Sequence, residues 1–139
     1  MPTPVVIGVG DFVNRSKKVE DALEPLQLML NALEAALQDT GLSGDALRSL
    51  RSAVDSLDVV RTWTWPYPDL PGLIAERMGV KPPRNHYTDH GGNQPAVIFD
   101  EAARRISKGE SKVALLTGGE ALASCMFDLS HTIIHRRSV

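Results

Sequence analysis

Apolar residues along this chain change period several times, and each change marks an element. Pro4-Val-Val-Ile-Gly-Val-Gly10 is a continuous apolar run, rich in β-branched residues and closed by glycines. That pattern predicts a buried strand. Asp11 to Glu20 is polar and predicts a loop. Leu23, Leu26, Leu30, Leu33 and Leu37 then recur at three- and four-residue steps and share one helical face. Pro25 suits the first turn of that helix and Gly41 the position just past its end. Ser43 or Asp45 is a candidate cap for a short second helix reaching Ser52. Leu57-Asp-Val-Val-Arg-Thr62 predicts a second strand.

The next segment, Trp63-Thr-Trp-Pro-Tyr-Pro-Asp69, holds both tryptophans and two prolines. It predicts a structured loop, because proline serves neither a ladder nor a helix interior. Asp69 is placed to cap a helix from Leu70 to Met78, stopped at Gly79. Arg84 to Asp89 predicts a weaker strand, and His90-Gly-Gly-Asn-Gln94 a turn. Pro95 opens a helix with Ile98, Ala102 and Ile106 on one face, ended by Gly109. Lys112 to Thr117 is a further strand, followed by Gly118-Gly-Glu120. Strands alternating with helices imply one α/β domain with right-handed parallel crossovers. No internal repeat or linker interrupts the order.

Composition narrows the partners. The 139 residues suit a single domain, and the net charge is −2. No run of Lys or Arg exceeds two, which argues against nucleic acid or an anionic membrane surface as partner. No apolar stretch approaches the roughly 18 residues of a membrane helix. No leader or C-terminal peroxisomal address is evident, so a soluble cytoplasmic protein is expected. The single cysteine, Cys125, allows no internal disulfide.

Four features invite chemistry. Gly8-Val-Gly10 after a predicted strand suggests a dinucleotide fingerprint, but Val13 stands where a third glycine should open a helix. His86 and His90 are four apart; on a strand that spacing is about 13 Å, too far for one ion. His131 and His135 share a helical face at best, without a third ligand, so no metal site is expected. There is neither a nucleophile elbow nor a phosphate loop. The remaining feature is the turn His90, Gly91, Gly92, Asn93 and Gln94 ahead of Pro95. Glycines let a ligand approach the backbone, and a helix N-terminus favours an anion. A cysteine at such a place becomes a reactive thiolate. The plainer alternative is a helix start that caps itself.

Taken together, several stretches resemble the thiolase superfamily, nearest to sterol-carrier-type thiolases and thiolase-like acetyl-CoA acetyltransferases. They are Pro4–Gly10, Glu24–Met29, Ala35–Leu42, Val59–Thr62 with Trp65–Asp69, Gly91–Pro95, Glu101–Ile106 and Val113–Leu122. The resemblance implies one thiolase-type β/α half-domain over residues 1–122, with a mostly parallel sheet of about four to five strands and packing helices. It implies acyl transfer involving coenzyme A, in lipid metabolism, with a coenzyme A thioester as substrate and no covalently bound cofactor. It also implies a homo-oligomer or a complementing half-domain as partner.

By that resemblance the nucleophilic cysteine belongs at Gly92, with Asn93 the nearby alternative. Neither residue carries sulfur, so no catalytic residue is assigned. His90, Gly91, Gly92, Asn93 and Gln94 remain ligand-binding candidates. Cys125 lies beyond the last recognisable strand and is expected to be an inert thiol. Residues 123–139 diverge from the family and are expected to reflect a truncated product. The resulting expectation is an inactive family member, the alternatives being a non-catalytic binder of acyl-CoA or protein, or a dinucleotide domain. Ile98 and Phe99, on adjoining helix faces, are expected to leave an apolar patch where the second half of such a fold would lie.

Overall fold

The computed structural model describes residues 1–124. After a 3₁₀ turn at Val19–Asp21 come α1 (Pro25–Asp39), α2 (Gly44–Ala53), β1 (Val54–Val59), α3 (Leu70–Met78), β2 (Arg84–Tyr87), α4 (Gln94–Ser107) and β3 (Val113–Thr117). The three strands form one parallel sheet in the order β2-β1-β3. The fold is α/β, with three strands among the described residues rather than the four or five expected. Every helix proposed from periodicity is present, and α3 runs over the expected residues. Asp69 caps α3 by accepting the Gly72 N–H at 3.0 Å, and Gly79 ends it with φ 67°. β1 begins at Val54, three residues before the expected start, because α2 passes into it at Ala53 without a loop.

The core lies between β1 and the pair α1 and α3. Leu57 and Val59 of β1 are fully buried against Leu26, Met29, Leu33 and Leu37 of α1 and Leu70, Ile74 and Met78 of α3. Met29, not Leu30, fills the deep position of α1; Leu30 packs at its margin. Side chains alternate along a strand, so Ser56 and Asp58 face the other way. There they meet α4, whose Arg105 donates to Ser56 Oγ at 2.9 Å and Asp58 Oδ2 at 2.7 Å. Ile98 and Ala102 of α4 are buried, while Phe99 is 56% exposed, so the expected apolar patch reduces to Phe99 on this helix.

The clearest departure is Pro4–Gly10, which forms no strand. It runs antiparallel to α1, with Gly8 against Ala36 and Thr40 and Gly10 against Ala32 and Ala36. The Val9 N–H donates to Asp39 Oδ2 at 2.9 Å. Val5, Val6, Ile7 and Val9 are exposed. A groove of about 520 Å³, lined by this segment, α1, α4 and β3, lies along the edge of β3 that pairs with no strand among the described residues. β-branching makes a strand only where a partner edge is in reach. Here the two glycines hold the segment on the helix instead.

That contact has a measurable consequence. A Cβ at Gly10 would lie 2.3 Å from Ala36 N and 2.4 Å from Ala32 O, both backbone atoms that have no room to yield. Gly10→Ala is expected to lift the segment off α1. Amide exchange at Val9 should then accelerate at least about tenfold, since its bond to Asp39 is an exposed local one. Unchanged exchange at Val9 would show that the glycine contact does not hold the segment.

Candidate functional site

Parallel strands direct their C-terminal ends to one side, and ligands of open α/β sheets bind outside those ends. In this chain three loops meet there: Val60–Asp69 after β1, Thr88–Asn93 after β2, and Gly118–Glu120 after β3. The turn singled out from sequence is the second of them. Gln94 N–H donates to Gly91 O at 3.1 Å, and Asn93 O accepts from Ala96 and Val97, so the first turn of α4 is partly self-capped. Asn93 occupies the cap position in helical conformation, and its side chain makes no capping bond. The Gly92 and Asn93 amides have no hydrogen-bond partner among the described residues and Gly92 is exposed. A Cβ built on Gly92 meets nothing within 4 Å, and its backbone lies outside the left-handed region. A side chain is therefore permitted at the position where the sequence has none.

His90 is held by two contacts. Its ring lies 4.3 Å from that of Trp63, tilted 34°, and its Nε2 is 3.0 Å from Thr62 O. A carbonyl only accepts, so Nε2 carries the proton and neutral His90 keeps Nδ1 as its free acceptor. Arg61 Nε donates to Thr88 O at 2.8 Å, and its guanidinium sits 4.0 Å above the Tyr87 ring, a cation–π contact. Arg61 N–H donates to Thr88 Oγ1, which ties the first loop to the second. Glu120 ties it to the third by accepting from Trp63 and Thr64. Between these groups opens an aromatic cleft of about 450 Å³ that reaches from Arg61 through Trp65 and Tyr67 to Tyr87 and His90. Tyr67 closes its floor, donating to Glu24 Oε2 at 2.9 Å and accepting the Leu26 N–H at 3.2 Å. Burial, against the lowering effect of the Leu26 amide, pushes its hydroxyl pKa well above the usual tyrosine value, with Glu24 adding to the rise.

Of the five residues expected to bind a ligand, His90 to Asn93 lie on the loop after β2 and Gln94 opens α4. His86, by contrast, turns to Asp58 beneath the sheet, its Nδ1 3.1 Å from Oδ1. The two histidines therefore serve separate places, and no group of three His, Cys, Asp or Glu able to hold a metal ion occurs among the described residues. Gly8 and Gly10 lie against α1 rather than at a strand-to-helix turn. Cys125, His131 and His135 lie outside the described residues. Trp63, Arg61, Tyr87 and Glu120 belong to the site although motif reading passed over them. The signal was available: each follows or ends a strand, on the side where such sites form.

Comparison of the whole chain gives the arrangement its setting. An SCP2-thiolase-like protein type 1 from Mycobacterium smegmatis, described as monomeric, superposes with a TM-score of 0.71 at 28% identity over 85% of this chain. The fold is thiolase-like. The β-ketoacyl-[acyl carrier protein] synthase III of Thermus thermophilus superposes at 0.64 with 18% identity over 85% of this chain. Its counterpart from Aquifex aeolicus superposes at 0.65 with 16% identity over 84%. At those identities the synthases speak for the fold alone. This chain spans 23% of the mycobacterial protein and 43% and 44% of the two synthases. No protein-family profile matches the sequence, and no curated protein matches it. No helix among the described residues is long and apolar enough to cross a membrane.

Proposed function

We propose that this chain is a thiolase-like half-domain that binds a coenzyme A thioester at the C-terminal ends of its strands without forming an acyl-enzyme. The observation that carries this reading is the turn at Gly92. It sits at the start of α4, its amide and that of Asn93 have no hydrogen-bond partner among the described residues, and the space for a side chain is open. Such amides with the helix dipole stabilise a polarised thioester oxygen or an anion. Glycine supplies no nucleophile, so neither the carbonyl carbon nor the sulfur of the ligand is attacked by this residue. The likeness to an SCP2-thiolase-like protein supports acyl-CoA as the ligand class.

A second reading, that the half-domain also binds a protein, has its own support. The apolar groove beside β3, the exposed Phe99 and the exposed Val5, Val6 and Val9 form surface that a complementing half-domain or a second copy would cover. The two readings are compatible.

Calorimetric titration with acetyl-CoA, paired with intact-mass measurement after incubation, tests the first. Saturable binding that free acetate does not reproduce, with no gain of 42 Da (about one acetyl group), is the expected result. A covalent acetyl adduct would defeat the non-catalytic assignment, and absence of binding at millimolar ligand would defeat the ligand class.

A further inference from the structure

One carboxylate organises the mouth of this site. Glu120 lies three residues beyond the end of β3. Its Oε1 accepts the Trp63 N–H at 2.5 Å, and its Oε2 accepts the Thr64 N–H at 3.3 Å and the Thr64 hydroxyl at 2.5 Å. Three donors of one loop thus converge on a single side chain more than fifty residues away. Charge-assisted bonds of this kind are about twice as strong as neutral ones.

What the clamp holds is informative. The Trp63 residue is 68% exposed, so core burial does not fix its ring. Its backbone is fixed by Glu120 instead, and the indole then lies on His90. Thr62, one residue earlier, also holds the His90 ring, its carbonyl accepting from Nε2. His90 in turn precedes Gly92 by two residues. The chain of contacts runs from Glu120 through the Thr62–Thr64 backbone to the His90 ring.

We propose that Glu120 is a positioning residue: by clamping Trp63 and Thr64 it sets the Trp63–His90 pair in the wall of the aromatic cleft and so shapes that cleft, without touching the ligand. The ligand half of this statement rests on the acyl-CoA reading above; the clamp itself does not. Glu120→Gln replaces one accepting oxygen by an NH₂ that faces a donor, which breaks the clamp on one side and leaves side-chain size unchanged.

The quenching arm uses the full chain carrying Trp65→Phe, so that Trp63 is the sole tryptophan, and the affinity arm uses the full chain with Trp65 kept. In Glu120→Gln, acrylamide quenching of Trp63 is expected to rise roughly twofold, because the indole leaves the His90 ring. Acetyl-CoA affinity is expected to fall about tenfold, the scale of one charge-assisted bond. The urea midpoint should stay put, since the clamp is exposed, and Glu120→Asp should restore part of both losses. Unchanged quenching in Glu120→Gln would overturn the clamp. Changed quenching with unchanged acetyl-CoA affinity would overturn its role toward the ligand. If the parent protein binds no acetyl-CoA, the ligand class falls, and quenching alone still decides whether Glu120 sets Trp63 on His90.

Discussion

Asp58→Ala is expected to remove about 3–5 kcal/mol of stability, the cost of leaving a buried cation without its counter-charge. Asp58 is fully buried in the central strand, where a sheet covered on both faces ordinarily has aliphatic residues. Its Oδ2 takes the Arg105 guanidinium at 2.7 Å and the Ser56 hydroxyl at 2.9 Å. Its Oδ1 faces His86 Nδ1 at 3.1 Å and Arg84 Nη2 at 3.5 Å. Arg105 is only 15% exposed, and its Nε has no partner among the described residues. Removal of the carboxylate therefore leaves a largely buried guanidinium without its counter-charge. A domain of this size is stable by roughly 5–15 kcal/mol, so the loss threatens folding at physiological temperature.

Urea titration followed by circular dichroism measures the effect. A loss under about 1 kcal/mol would show that the network is solvated and structurally idle. A double substitution, Asp58→Leu with Arg105→Met, is expected to recover most of the loss, because paired apolar replacements of buried ion pairs are often neutral or better. The network also bears on the site. Arg105 lies eleven residues, about 17 Å along the helix axis, from Gln94 at the start of α4. It anchors the far end of the helix whose near end carries the turn.

This network illustrates what periodicity conveys and what it omits. The face of α4 was legible because Ile98 and Ala102 repeat at helical spacing, and a repeat is a local property. That Arg105 is on the same face and answers an aspartate 47 residues earlier is not local. Only the pairing of β1 with its neighbours brings the two together. Pro4–Gly10 shows the converse failure. Its composition states a preference for strand, but a strand needs an edge, and the edge of β3 lies across a groove. The helices, by contrast, close their hydrogen bonds within themselves, and for that reason α1, α3 and α4 fell where spacing and caps placed them. At the site, the glycine turn stood out because Gly-Gly before Pro has few other uses. Glu120 and Trp63 did not, since their roles arise from loops that three different strands deliver to one place.

The same turn supports the prediction with the largest chemical effect. Gly92→Cys, made with Cys125→Ser so that one thiol remains, is expected to fold as the parent does. Nothing stands within 4 Å of a Cβ there, and the backbone does not require glycine. The urea midpoint should shift by no more than about 0.5 kcal/mol equivalent, as for other unconstrained surface changes. The new thiol would sit two residues ahead of α4, beside the Asn93 amide, which has no partner among the described residues. Helix N-termini lower thiol pKa values, so the apparent pKa for alkylation should lie about one unit below the ordinary 8.5. At pH 7 that raises the thiolate fraction from about 3% to about 24%. Intrinsic nucleophilicity falls with pKa, which trims the gain in alkylation rate to roughly threefold. The pH–rate profile with iodoacetamide reads both quantities. A profile centred at 8.5 or above would mean that the turn does not stabilise negative charge, and the anion-binding reading of Gly91–Gln94 would fail with it. A depressed profile, followed by a mass gain of one acetyl group when acetyl-CoA is supplied, would show that the half-domain still holds a thioester within reach of position 92. The missing sulfur would then be what separates this chain from acyl transfer at that position, since the backbone that would activate it is already in place.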